Sequence, residues 1–208
     1  MDVEKEQRAA LIAALGNEFD CFEEVALQHA LFGRRTVRAD IVAVPRDERL
    51  ASYAFAFEVK QPNTTWDYSA WAHAIRQATD YIYAPILPLG PAAKFAGRRI
   101  SAAFMFPAPG IDPEGRRPDK GPYVRPDTSV MVTGLFHLAL HLRVGRAHWE
   151  QDRHGSRFCL SFGPNPVWCS GKGFRDQGLN LVAGKRTLGS QRIDIRKELD
   201  GWGDELCR

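Results

Sequence analysis

The chain has only 4 cysteines in 208 residues, at positions 21, 159, 169 and 207. They form no closely spaced pairs of the kind a zinc ribbon needs, and their scatter reads as reduced thiols, not a disulfide framework. Missing too is any apolar run long enough to span a bilayer. The first residues, Met-Asp-Val-Glu-Lys-Glu, lack the apolar stretch of a signal peptide. These absences predict a cytoplasmic protein with no membrane partner. Charge of one sign is scarce: 28 Lys and Arg against 25 Asp and Glu leave a net charge of +3. Bulk charge therefore does not demand a nucleic-acid partner, and any such contact must come from local patches. No G-x-x-x-x-G-K-S/T loop is present, which excludes ATP-driven unwinding within this chain. There are no internal repeats and no low-complexity tract. What remains is an ordinary folded composition, long enough for one large domain or a domain with a small appendage.

Against this background one constellation stands out. The segment 36–44, Thr-Val-Arg-Ala-Asp-Ile-Val-Ala-Val, is rich in Val and Ile and closed by Pro45, so it reads as a strand. Strict alternation would put Arg38, Asp40 and Val42 on one face, with Val37, Ala39, Ile41 and Ala43 on the other. A second strand is predicted over 53–60. Here Phe55, Phe57 and Val59 face one side, and Ala54, Ala56, Glu58 and Lys60 the other. The polar stretch 46–52 between them suits a hairpin loop. Antiparallel pairing then brings Asp40 near Glu58, with Lys60 one pair away.

A helix follows, with Thr64 or Thr65 as N-cap, Asp67 in the first turn and Pro85 at its end. Trp71, Ala74, Ile75, Ala78, Tyr81 and Ile82 form its apolar stripe. His73, Gln77 and Tyr81, four apart, line one side, from which Gln77 looks back at the carboxylates. This set suits phosphodiester hydrolysis. A divalent cation stabilises the charge that builds on phosphate and leaving oxygens and acidifies an attacking water. Mg²⁺ needs only one to three carboxylates. Asp40 and Glu58 supply two, the Val59 carbonyl another oxygen, and Lys60 a positioned cation, better suited to charge stabilisation than to the role of base. A third acid is expected from an N-terminal helix over 18–32, buried through Phe19, Phe22, Leu27 and Leu31 and ended by Gly33. Glu24 is the first candidate, with Glu18 and Glu23 as rivals.

In this order of elements, Asp40, Glu58-Val59-Lys60 and Gln77-x-x-x-Tyr81 resemble the PD-(D/E)xK nuclease superfamily. Within it they look like the RecB-type and lambda-exonuclease-like domains with their Q-x-x-x-Y motif. The resemblance covers roughly residues 18–106. It departs from the pattern in having Ala39 before Asp40, and no four-cysteine cluster for an iron–sulfur centre is present. It implies an α/β fold: a restriction-endonuclease-like core with a mixed central sheet flanked by helices, here followed by a β-rich C-terminal extension. It also implies DNA cleavage dependent on Mg²⁺ or Mn²⁺. Asp40 and Glu58 would be metal ligands, Lys60 the catalytic lysine, and Gln77 and Tyr81 positioning residues.

The expected division is a nuclease core over 1–110, with 111–208 completing it or forming a small α+β region. A third core strand is predicted over 100–106, a Pro-, Gly- and Arg-rich loop over 112–126, and a helix over 135–142 leading into a strand at 143–145. A β-hairpin is predicted from 158–162 and 167–171, and part-helical structure over 193–206. His137 with His141, and Cys159 and Cys169 with His154, lack the partners for a metal site. Arg34, Arg35, Arg38 and His73 are the candidate nucleic-acid contacts around the site. Arg98, Arg99, Arg116, Arg117, Lys120, Arg125, Lys172, Arg175, Lys185 and Arg186 add further basic charge. Such contacts are salt-sensitive and blind to base sequence. The expected function is a metal-dependent DNA nuclease, with end-processing favoured over a structure-specific endonuclease or junction resolvase by the resemblance. Outside that class stands a non-catalytic or partner-dependent nucleic-acid-binding module of a phage, mobile-element or defence system. A protein partner or homo-oligomer is compatible with either.

Overall fold

The structure, a computed structural model, describes residues 3–29, 35–61, 68–107, 138–152, 155–162 and 165–183. The chain opens with helix α1 (Val3–Leu15), rich in Ala and Leu, with Glu4 and Glu6 in a first turn where the helix dipole favours acids. Its buried residues, Leu11 and Leu15, are four apart. Gly16, at φ 51°, ends it in a left-handed conformation that suits glycine.

Three antiparallel strands follow: β1 (Phe19–Gln28), β2 (Thr36–Pro45) and β3 (Phe55–Val59). Helix α2 (Tyr68–Ile82) then crosses to β4 (Ala102–Phe106), which lies parallel to β3. β5 (Val144–Asp152) is parallel to β4. β6 (Gly155–Phe162), β7 (Asn165–Cys169) and β8 (Gly173–Phe174) then add antiparallel strands at the growing edge. All eight lie in one sheet in chain order. The short helix α3 (Asp176–Val182) packs back on β7. Gly178 permits this, because a Cβ there would run into the Pro166 carbonyl and the Val167 backbone.

Each face of the sheet buries one core. On one face α2 lays Trp71, Ala74, Ile75, Ala78 and Tyr81 against Val42, Ala54, Ala56, Ala103, Met105 and Val144. On the other, α1 and α3 meet an aromatic core that includes Phe19, Phe55, Phe57, Phe104, Phe158, Phe162 and Trp168. Phe19 meets Trp168 edge-on at 5.1 Å between centroids, joining the first strand to the seventh.

The expected restriction-endonuclease-like α/β core, flanked by helices, does not form. Among the described residues the molecule is mostly a curled, eight-stranded mixed sheet with few helices. Two local readings account for the difference. Residues 19–28 of the expected 18–32 helix form β1, whose register with β2 runs from Phe19↔Pro45 to Gln28↔Thr36. Its apolar residues fall on both faces of the strand, and pairing with β2 selects the strand. The second half of the chain, moreover, adds its strands to the same sheet.

Within β2, Val37 and Ala39 pack with Val42 and Val44, whereas Ile41 and Ala43 join the opposite core. The strict alternation expected there therefore slips by one residue at Asp40. Opposite Asp40, Glu24 adopts φ 54°, and the Glu24–Asp40 pair drops out of an otherwise unbroken register.

The third core strand is β4, the hairpin is β6–β7, and residues 138–141 are helical ahead of β5. Cys159 and Cys169 are directly opposed across β6–β7 and joined as a disulfide, which corrects the expectation of reduced thiols for this pair. A non-hydrogen-bonded cross-strand pair brings backbones close enough for the bond. Cys21 is a free thiol, pushed up to about 11 by burial. The helix cap at Thr64 or Thr65 with Asp67, Gly33, Leu31, the loop 112–126 and the segment 193–206 lie outside the described residues. No helix among the described residues is long and apolar enough to cross a membrane.

Candidate active site

The β2–β3 ladder runs from Ala43↔Phe55 to Ile41↔Phe57. At the next ladder position the Val59 N–H donates to Oδ2 of Asp40 at 2.7 Å, so a side chain replaces a backbone acceptor and the two strands part. The N–H and C=O of one strand residue point the same way. The Val59 carbonyl thus opens on the same side as Asp40, as a metal ligand there requires. Backbone pairing holds Lys60 from the other side, through its N–H to the Phe106 carbonyl at 2.8 Å.

Glu58 is 1% exposed, an unusual place for a carboxylate. It is fully dressed. Lys60 Nζ lies 2.5 Å from its Oε1. The Tyr81 hydroxyl donates to its Oε2 and lies 3.0 Å from the Arg38 carbonyl. Burial, reinforced by the Glu58 charge, pushes the Tyr81 phenol well above its ordinary range, so it stays a donor. Tyr81 thereby ties α2 to both strands of the site.

Asp40 is pushed from 3.8 up to about 6. Burial is the main cause and the neighbouring Glu58 charge the second, partly opposed by the Val59 N–H and the Lys60 charge. A carboxylate of raised proton affinity, Asp40, beside the charge of Glu58 marks a place that favours an added cation. A hard divalent cation fits this donor set of two carboxylates and a carbonyl.

Gln77 stands one turn before Tyr81 on α2, and its buried Oε1 has no hydrogen-bond partner. A buried acceptor left without a partner costs stability unless something meets it. His73 is exposed and contacts Arg76 at 3.2 Å, so it lies on the solvent side of α2.

Glu24 comes from β1 and not from the expected helix. It is gripped by two guanidinium groups: Arg8 Nη1 at 2.7 Å to Oε1 and Arg38 Nε at 2.7 Å to Oε2. Its charge still reaches Asp40. Of its rivals, Glu18 accepts from Trp168 Nε1 at 2.7 Å on the far core, and Glu23 is exposed. Arg38 is 71% exposed beyond its ion pair, and Arg35 is exposed at the entry to β2. Arg34 lies outside the described residues. Sequence reading missed Arg8, because α1 itself was not predicted. The helix-forming run 3–15 and its glycine stop were the available signal.

The sequence candidates Asp40, Glu58, Val59, Lys60 and Tyr81 thus come together at one end of β3, with Gln77 one turn before Tyr81 on α2. Glu150, Cys159 and Cys169 also converge, but the two sulfurs are bonded to each other and only thiolates ligate metals well. His137 and His154 lie outside the described residues, and His141 is exposed. No protein-family model, curated protein or solved structure matches this chain.

Proposed function

We propose that the protein is a divalent-metal-dependent DNA nuclease. One observation carries this reading. Asp40 and Glu58, whose charge raises the cost of ionising Asp40, are built into the same corner with Lys60. A binding scaffold has no use for an acid pair that repels phosphate. The reading rests on this constellation of side chains and not on likeness of fold.

Asp40, Glu58 and the Val59 carbonyl would hold Mg²⁺ or Mn²⁺. When bound, such an ion supplies charge stabilisation at the phosphate and a more acidic water. Lys60, held by Glu58, faces the same corner and offsets charge developing on phosphate oxygens. Tyr81 fixes the Glu58 rotamer. Gln77 offers its unpaired carbonyl oxygen to a water or a substrate hydroxyl. Glu24 acts one step removed, by holding Arg8 and Arg38, and the exposed Arg38 can meet the DNA backbone.

Processing from an end is the favoured mode, on the resemblance of Gln77-x-x-x-Tyr81 to exonuclease motifs. The test is calorimetric titration with Mn²⁺, beside digestion of linear and closed circular DNA. The reading expects saturable Mn²⁺ binding that Asp40→Asn and Glu58→Gln each abolish, and metal-dependent loss of linear DNA with circles spared. Unchanged Mn²⁺ binding in both variants would remove the ligand assignment, and cleavage of circles would replace the exonuclease by an endonuclease.

A further inference from the structure

β3, β4 and β5 run parallel, and Glu58 and Lys60 stand at the C-terminal end of β3. The opposite end of these strands carries a cavity of about 310 Å³. Ser52, Ser101 and Arg143, which precede β3, β4 and β5, line it together with Tyr83 and Arg99. The Ser101 N–H donates to the Ala54 carbonyl at 2.7 Å, which sets Ser101 level with a residue four before Glu58. Cavity and carboxylates are therefore roughly 13 Å apart along β3. Small-molecule sites fall in a range of ~300–1,000 Å³, and this cavity lies at its lower end.

The donors here are not committed to the fold. Arg98 shows the contrast: its guanidinium lies over the Phe95 ring at 4.5 Å and donates to the Ala51 carbonyl. Arg99, the next residue, is exposed, and so is Arg143. Neither guanidinium has a hydrogen bond or ion pair among the described residues. Ser101 Oγ accepts from the Ala54 N–H at 3.3 Å, which leaves its hydroxyl hydrogen free to donate. No acidic residue lines the cavity among the described residues. Two guanidinium groups with no carboxylate between them repel each other, and an anion relieves that repulsion.

Arg143 carries an independent mark. Its φ of 58° is a left-handed conformation that glycine adopts freely and a residue with a Cβ does not. The backbone is pinned there, since its N–H donates to the Leu140 carbonyl at 3.1 Å and its carbonyl accepts from the Ala103 N–H at 3.1 Å. The turn suits a glycine, so an arginine held in it points to a use for the side chain. Ile100 and Val182, each 2% exposed, give the cavity an apolar floor, and Tyr83, 44% exposed, stands at its rim. Guanidinium forks match phosphate oxygens, and an exposed aromatic ring is a platform for a flat base.

We propose that this cavity is a second ligand site, which takes a small phosphomonoester bearing a flat ring, of the nucleoside monophosphate class. Arg99 and Arg143 hold the phosphate, the Ser101 hydroxyl donates to it, and Tyr83 stacks on the ring. The site shares no residue with Asp40, Glu58 and Lys60 and does not depend on the nuclease reading.

The test is calorimetric titration of the full chain in EDTA with adenosine monophosphate, beside adenosine and inorganic phosphate. Saturable binding of the monophosphate is expected, with none of adenosine and weaker binding of inorganic phosphate. Arg99→Gln should weaken monophosphate binding by about tenfold, the loss of one charge-assisted contact. Arg143→Gly should weaken it as much without lowering the melting temperature, because glycine suits the φ of that turn. Lys60→Ala should bind like the wild type. No binding of the monophosphate at millimolar concentration, or wild-type affinity in both arginine variants, would overturn the site. Loss of binding in Lys60→Ala would place the nucleotide at the carboxylates and overturn it too. Inorganic phosphate bound as tightly as the monophosphate would overturn the ring-bearing ligand. Arginine-dependent binding of a single-stranded oligonucleotide, with none of the monophosphate, would assign the cavity to a strand phosphate and overturn the small-molecule site.

Discussion

Asp40→Asn should make the metal-free protein more stable at pH 8. Asp40 rises from 3.8 to about 6 on folding. A carboxyl that binds its proton more tightly in the folded state supports folding at low pH, and that support fades as pH rises through about 4 to 6. Above this window the ionised carboxylate carries its full cost. At about 1.4 kcal/mol per tenfold change in proton affinity, the cost is about 3 kcal/mol at most. Asparagine removes the charge and keeps an oxygen for the Val59 N–H. For a chain of this length 1 kcal/mol moves the melting temperature by roughly 2–4 °C. In EDTA at pH 8 the variant should thus melt up to about 10 °C higher than wild type, and the gap should close below pH 4. His148, pulled down to about 4 by burial, titrates in an overlapping window in the opposite direction, but it is common to both proteins and cancels in the difference. Mn²⁺ at pH 8 should raise the wild type towards the variant and leave the variant unmoved. Thermal and urea unfolding across pH 3–9 read this directly. An Asp40→Asn protein no more stable than wild type at pH 8 would refute the account of Asp40 as a strained, cation-seeking carboxylate.

Other substitutions separate the remaining roles. Tyr81→Phe removes a hydroxyl from buried Glu58 and should cost about 1–3 kcal/mol in urea unfolding, with slower cleavage. Unchanged stability would show that the Tyr81–Glu58 contact contributes nothing to the fold. Gln77→Ala gives up no hydrogen bond at the Gln77 Oε1, so its melting temperature should stay within a few degrees while turnover drops; a collapsed melting temperature would mark Gln77 as structural. Glu24→Gln loosens Arg8 and Arg38 without removing a ligand, so Mn²⁺ affinity in calorimetry should hold. Loss of that affinity would restore Glu24 as the third metal ligand.

The legibility of the sequence varied with the kind of information. Asp40, Glu58 and Lys60 were readable because both strands are rich in apolar residues, and the period of two in β3 puts Glu58 on the face of Ala54 and Ala56, opposite Phe55 and Phe57. Gln77 and Tyr81 followed from helical spacing. The same local logic failed at residues 18–32. Phe19, Phe22 and Leu27 were read at helical spacing, and only pairing with β2, a contact between distant residues, selects the strand. It failed again at Glu24 and Asp40, where a positive φ on one strand and a slip on the next re-aim the side chains without any marker in composition. The curled eight-stranded sheet was hidden because its second half joins the first through parallel pairing of β5 with β4, a contact between residues distant in sequence. The Cys159–Cys169 pairing was hidden for the same reason: ten residues apart in sequence, they meet only across the β6–β7 ladder.

The central claim is tested most directly by incubating the purified chain and its Lys60→Ala variant with end-labelled DNA in Mg²⁺, in Mn²⁺ and in EDTA. The account predicts cleavage by the wild type that requires the metal and disappears in the variant, while the variant still binds DNA and Mn²⁺. Near-wild-type turnover in Lys60→Ala, or no cleavage by the wild type with either metal, would contradict it.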